Sequence, residues 1–329
     1  MGLGALPVLP YEDHRCTGRN AALLSPLATA AAHGHIDCIN ALLRGKQRQI
    51  SGAGLDALVA AAVSGQAAAF KLLLRKGASL GAHTQRVFAE AIYAGHLIIA
   101  IEMIALGARV NDVMHNPLLA ACRGGHTEIV RHLLLTGADV HFDDDVALRV
   151  TVGEAKKNAT QIAEVLLRGG ADVRAGGGTL VQTAVANGDI SLVRLLAVHG
   201  ADVNATRDGG ERALCTALRQ RQFKMVWFLL SVGADPDLSE LPALIGASDY
   251  DSDDRQLQLL LLAGLDPQAV FDRSRDLTQF DHGLSARFID SLIDAGVEPT
   301  VKDVSRLIGI VCSERRFVLG VRRAFQPGR

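Results

Sequence analysis

The sequence predicts an all-α protein, a solenoid of about nine to ten helix–turn–helix repeats joined by mostly short junctions. Three observations carry that expectation. First, paired residues, nearly all large and apolar, precede a glycine step at Leu42-Leu43, Leu73-Leu74, Met103-Ile104, Leu133-Leu134, Leu166-Leu167, Leu196-Ala197, Leu229-Leu230, Leu260-Leu261 and Leu292-Ile293. The successive intervals are 31, 30, 30, 33, 30, 33, 31 and 32 residues, and a fixed period in that range marks stacked repeats. Second, each period holds two short segments with apolar residues at helical spacing, split by a turn that usually contains glycine. Such helices have about three turns or fewer and are marginal alone in water, so they must stack on one another. Third, aromatic residues make up only 4% of the chain, with 33 glycines, a composition that lets thin helical layers approach closely.

Taken in order, residues 1–20 read as a tail or irregular cap. Met1 to Pro10 lacks a positive leader, and Leu6 stands where myristoylation needs Ser or Thr. Residues 21–300 form the repeat array. Ser25-Pro26-Leu27 opens it, Ser25 as a helix cap and Pro26 in the first turn. The second and third repeats (LDALVAAAVSGQAAAFKLLLRKGAS and RVFAEAIYAGHLIIAIEMIALGAR) keep the pattern without the proline. The fourth, NPLLAACRGGHTEIVRHLLLTGADV from Asn116 to Val140, is the clearest unit. The fifth carries extra residues around Gly153 to Asn158, which predicts a longer loop between its helices. The sixth is regular, the seventh holds the single tryptophan, Trp227, and the eighth carries an acidic insertion, Asp249 to Asp254. The ninth is degenerate. Residues 301–329 read as a basic capping helix pair and tail, with seven Lys or Arg against two acids. Phe317, Val318, Val321 and Phe325 share one face of its last helix.

The phrases SPLATAAAHGH, NPLLAACRGGH and GADVNA, together with the period, resemble the ankyrin-repeat family over nearly the whole chain, from about residue 20 to about 325. The resemblance implies a β-hairpin finger between repeats. Only GADVNATRDGGER, with Asp208-Gly209 at its turn, is long enough for a full finger. GARVNDVMHN, GADVHFDDDV and GADVRAGGGT are about three residues shorter and predict stubby turns.

Composition and motifs exclude several chemistries. A formal net charge of −1 argues against a chain devoted to nucleic acid or acidic membranes. The longest apolar run, Leu97 to Leu106, contains Glu102 and falls short of a bilayer span. The five cysteines, Cys16, Cys38, Cys122, Cys215 and Cys312, have no metal-ligand spacing. At least three fall at core positions, Cys38 among them, which predicts reduced buried thiols in a cytoplasmic protein, with the nucleus as the alternative. His35, His96 and His126 follow the turn at repeat spacing; the resemblance implies that each bonds nearby backbone. Asp143 to Asp145 and Asp249 to Asp254 read as solvated acidic surface, since the second lacks the glycine and glutamate of a calcium loop. Gly176 to Gly178 reads as an inter-repeat turn, because no Gly-Lys-Ser/Thr follows it. No nucleophile–base–orienter set emerges, so neither catalytic residues, metal nor cofactor are expected.

The resemblance implies a non-catalytic scaffold or adaptor that is monomeric, takes no small-molecule substrate and holds a protein partner on its concave face. Its candidate contacts are Tyr93, Arg123 and Asn187 beside the turns, Arg207, Asp208 and Glu211 on the full finger, and His141 and Phe142 on a shorter junction. Two alternatives stand beside it, a substrate-recruiting subunit of a larger complex, such as a ubiquitin ligase or pathogen effector, and an enzyme with its site in an irregular repeat. Likeness to substrates of asparaginyl hydroxylases also makes Asn204 a hydroxylation candidate, with Leu196 eight residues before it and Val203 adjacent.

Overall fold

The computed structural model describes residues 25–44, 51–154, 158–206, 212–236, 253–262, 264–270, 272, 292 and 294–297. The expectations placed on residues 1–20, on Cys16 and Cys312, on the finger residues Arg207, Asp208 and Glu211, and on the 301–329 cap lie outside them. Among the described residues all regular structure is helical, with α-helices and two 3-10 turns. The chain divides into two compact units, Met1–Val140 and His141–Arg329.

The first unit holds four helical pairs: α1 (Pro26–Ala32) with α2 (Ile36–Leu43), α3 (Ser51–Val63) with α4 (Ala67–Arg75), α5 (Thr84–Tyr93) with α6 (Leu97–Ala105), and α7 (Pro117–Gly124) with α8 (Thr127–Leu135). Ser25 caps α1 through its Oγ, which accepts the Ala28 N–H, and the Asn116 side chain caps α7 at Leu119 in the same way. Pro26 and Pro117 follow these caps, where their missing N–H removes no bond. The first helices α1, α3, α5 and α7 pack in one layer, and α2, α4, α6 and α8 in a second. Between the layers lie Ile39, Leu58, Phe70, Leu73, Phe88, Ile92, Ile99, Met103 and Leu133, all fully buried.

The second unit repeats the plan with α9 (Phe142–Gly153), α10 (Ala159–Arg168), α11 (Leu180–Ala186), α12 (Ile190–Val198), α13 (Ala213–Arg219), α14 (Phe223–Ser231) and α15 (Asp253–Leu262). Helices α9, α11 and α13 pack in sequence, α10 lies against α12, and α14 against α15. α9 ends at Gly153 and α10 starts at Ala159, a wider separation in sequence than that of α5 and α6, as the extra residues predict. Asp253 and Asp254 of the acidic insertion open α15 rather than sitting in a loop.

From α4 to α15 each second helix ends on a glycine step, Gly-Ala-Asp in four of them, by one mechanism. After α8, Gly137 takes φ 91°. Its N–H then bonds Leu134 O, and the Ala138 N–H bonds Leu133 O, so two carbonyls left open by the last turn are satisfied. Two expectations are corrected here. Cys38 is exposed, and of the three described cysteines Cys122 is buried and Cys215 half-buried; α2 turns Ile39 and Leu43 inward instead, and these fill the core side of its short helix. Asp143 and Asp144 are exposed, as expected, but the run is not solvated throughout. All three adopt left-handed backbone, with φ of 51°, 54° and 50°, and Asp145 is buried.

Candidate functional site

The expected contacts sit at two kinds of position, the ends of the first helices and the junctions. Tyr93 is the last residue of α5, and its side chain is 44% exposed. Arg123, in the last turn of α7, is half-buried. The structure brings their helix ends together. A Cβ on Gly124 would lie 2.6 Å from the Tyr93 carbonyl oxygen, so only glycine allows this approach.

The same place explains the turn histidines. His126 donates from Nε2 to Tyr93 O at 2.9 Å, and His96 donates to Val63 O at 2.8 Å. Both rings bond backbone, as the resemblance implies, and the carbonyl each reaches belongs to the preceding repeat, so each ties one repeat to the one before. Where Asp189 and Gln222 replace the histidine, other side chains make the tie. Asn187 donates from Nδ2 to Val152 O at 2.8 Å, and Gln222 to Val185 O at 3.2 Å. Asn187 is exposed, but its amide is engaged in this internal bond.

At the junctions a second device recurs. Asn111 donates from Nδ2 to Gly137 O (2.9 Å) and accepts the Asp139 N–H (2.8 Å). Asn204 does the same to Gly233 O (3.0 Å) and the Asp235 N–H (2.9 Å). The side chain proposed for hydroxylation thus brackets one junction to the next. In GADVH the bracket position holds His141, and Asp145 substitutes for it: its Oδ2 accepts the Asp172 N–H at 3.1 Å. Asp145 Oδ1 lies 3.1 Å from His141 Nδ1, an ion-pair distance without the alignment of a hydrogen bond. Asp144 accepts from the Gly176 N–H (2.8 Å) and Arg149 Nη1 (3.1 Å). His141 stays exposed, whereas Phe142 is half-buried. Gly176 to Gly178, all at positive φ, form the inter-repeat turn that Asp144 contacts.

The sequence places Asn111 and Met114 on a short junction but does not disclose how that turn is held. Between Arg109 and Asn116 the buried Asp112 accepts from the Met114 and His115 N–H groups at 3.1 and 2.9 Å and pairs with Arg109 at 3.0 Å. Burial pushes the Asp112 carboxyl up, but the His115 backbone bond, the Arg109 guanidinium and the His115 ring outweigh it and hold the group below the usual carboxylate range. The turn presents Val113 and Met114 to solvent, 71% and 79% exposed. The signal was an Asn-Asp pair between apolar residues, an Asx-turn pattern. Among the described residues no three His, Cys, Asp or Glu side chains converge to hold a metal ion, and no helix is long and apolar enough to cross a membrane.

Paired short helices in two layers, closed by Gly-Ala-Asp steps and tied through turn and junction side chains, define a helical repeat protein. Comparison with known proteins narrows the class. The ankyrin-repeat profile matches residues 113–145, and a profile of three ankyrin repeats matches 153–240. A nematode protein (Caenorhabditis elegans), the ankyrin repeat and KH domain-containing protein mask-1, is 30% identical over 155 residues, 45% of this chain and 6% of that protein. The putative ankyrin repeat protein FPV031 of fowlpox virus is 30% identical over 99 residues, 28% of this chain and 29% of its own length. An L-asparaginase of Dirofilaria immitis is 29% identical over 124 residues, 37% of this chain and 21% of that enzyme. The chain therefore spans under a third of each of these relatives. The crystal structure of the human ASB11 ankyrin repeat domain superposes with a TM-score of 0.55 at 23% identity, over 65% of this chain and all of that one. The chain is an ankyrin-repeat protein. Repeats of this family are in general protein–protein interaction modules, and their fold is typically non-catalytic.

Proposed function

We propose that the chain is a non-catalytic scaffold or adaptor whose first unit grips a protein partner along a row from the 109–116 tip to the ends of α5 and α7, the concave side in ankyrin arrays. The observation that supports this most is the tip itself. Val113 and Met114 are held out by a turn whose backbone is already bonded to Asp112 and whose Asn111 is bracketed to Gly137 and Asp139. A preorganised apolar tip binds without a large ordering cost. At the far end of α7, eight residues and about 12 Å away, Arg123 and the neighbouring Tyr93 supply the residue types that dominate interface energetics. In the second unit, Asn187 is engaged internally and His141 faces Asp145, so they serve the proposal less well. The same reading places the chain in a reducing compartment such as the cytoplasm or nucleus.

The test is affinity capture from native lysate, read by mass spectrometry, with the wild-type chain and a Tyr93→Ala, Met114→Ala, Arg123→Ala variant whose unfolding midpoint matches it. A saturable partner lost from the variant supports the reading. A partner retained at wild-type affinity rejects this row, and the absence of any saturable partner rejects the adaptor.

A further inference from the structure

We infer that the outer stripe of α12 and α14 docks an acidic segment of a protein partner, anchored on Trp227. This surface belongs to the second-helix layer and is separate from the tip and first-helix ends proposed above. Counting back from the paired residues, Trp227 occupies the position held by Arg131 in α8, Glu164 in α10 and Arg194 in α12. On α8 and α10 the charges of this face are matched within the helix, Arg131 with Glu128 at 3.6 Å and Glu164 with Arg168 at 2.6 Å. Helices α12 (ISLVRLLAV) and α14 (FKMVWFLLS) carry no acidic residue at all.

Their exposed positions are instead cationic and apolar. Arg194 and Val198 project from α12, Lys224 and Trp227 from α14, and all four are exposed. Val198 is 78% and Trp227 62% exposed. Lys224 precedes Trp227 by one turn on the same face. Arg194 lies over the Phe228 ring, 5.5 Å from its centroid, and this contact connects the two helices into one surface. The guanidinium leans on an aromatic face without neutralising its charge. Two cations beside a tryptophan complement a segment with carboxylates on either side of an apolar side chain. A nucleic-acid strand fits less well, because Trp227 is exposed for stacking while the neighbouring Phe228 ring is buried under Arg194.

Trp227 is the chain's only tryptophan, so its emission reports this surface directly. The full chain would be titrated with a synthetic peptide of about a dozen residues, Glu-rich around a central Leu-Phe pair. Its Gln-for-Glu counterpart and an oligo-dT strand of similar length are the comparators. The expected result is a saturable blue shift with the acidic peptide, weakened by salt, and an affinity at least about tenfold lower for the Gln peptide. The double variant Arg194→Glu, Lys224→Glu, on exposed positions, should keep the wild-type circular dichroism and unfolding midpoint while losing the shift. Equal binding of the Gln peptide, tighter binding of oligo-dT, an undiminished response in the folded double variant, or no saturable shift with the acidic peptide would each overturn the proposal.

Discussion

Two junctions make the same long-range contact with different chemistry. At the junction before α7, one side chain does everything: Asn111 gives an N–H to Gly137 O and takes one from Asp139. At the junction before α9, His141 stands in that position, and Asp145 reaches the Asp172 N–H from four residues further on. A carboxamide donates and accepts in one plane, whereas a carboxylate only accepts. The second junction therefore recovers half of the bracket, adds the Asp144 bond to Gly176, and needs three consecutive left-handed residues to do it. Each such non-glycine residue costs roughly 1–2 kcal/mol. Two charge-assisted bonds at about 1.5–3 kcal/mol each are of comparable size. A repeat joint is thus a position with a required backbone contact, and more than one local sequence can supply it.

The largest expected effects test whether the difference is confined to the joints. Leu133 and Leu166 are both fully buried at equivalent positions in the repeats beyond the two junctions. Leu133→Ala and Leu166→Ala should each cost about 2–5 kcal/mol as cavity substitutions, measured by urea unfolding. A markedly cheaper Leu166→Ala would break the comparison, because it would put the difference in the core packing of the second unit.

Next come the brackets. Asn111→Ala removes two hydrogen bonds and should cost about 1–3 kcal/mol. Asn111→Asp keeps the acceptor but loses the donor to Gly137 O, so it should also destabilise. Asp145→Asn retains an acceptor for the Asp172 N–H and should change stability by less than about 1 kcal/mol. If the two amide–acid exchanges have equal effects in the same unfolding assay, the junctions are not chemically distinct.

This contrast also marks what the sequence could disclose. The helical pairs, their period and the cap at Ser25 were legible, because each rests on short-range spacing or on a residue type with one dominant local use, and backbone bonding by the turn histidines followed from the family resemblance. The bracket was not. It joins Asn111 to Asp139 and Asn204 to Asp235, pairs far apart in sequence whose meeting depends on how the repeats stack. Asp145 was harder still. Three adjacent aspartates read as solvated charge unless His141 is first seen to occupy the asparagine position. Trp227 was visible as the only tryptophan, but its exposure follows from a core already filled by Met225, Val226, Phe228 and Leu229 of the same helix.

Smaller effects should follow from relieving left-handed strain. Asp143 is exposed at φ 51°, and Arg221 takes φ 56° where most other repeats have the turn glycine. Asp143→Gly should raise stability by about 0.5–1 kcal/mol, since glycine adopts this region without steric cost. Arg221→Gly should gain less, because the arginine side chain makes interactions of its own. A loss of stability in Asp143→Gly, read from the unfolding midpoint, would mean that the side chain holds the joint and that strain is not its main contribution.

The smallest effect is a slope, and it belongs to the intact junction. Asp112 sits beside Asn111 with its carboxyl held below the usual range: burial opposes the shift, while the His115 backbone bond, Arg109 and the His115 ring outweigh it. A carboxyl whose folded value is depressed adds stability that is fully present above its unfolded value, about 3.9. That contribution is lost as pH falls through the folded value, because the native state then takes up the proton it had excluded. The stability difference between wild type and Asp112→Asn should therefore be constant from about pH 8 to 5 and shrink below about pH 4. Urea unfolding across that range reads it. A difference that stays flat down to about pH 2.5 would show that the turn holding Val113 and Met114 depends on the shape of the side chain and not on its charge.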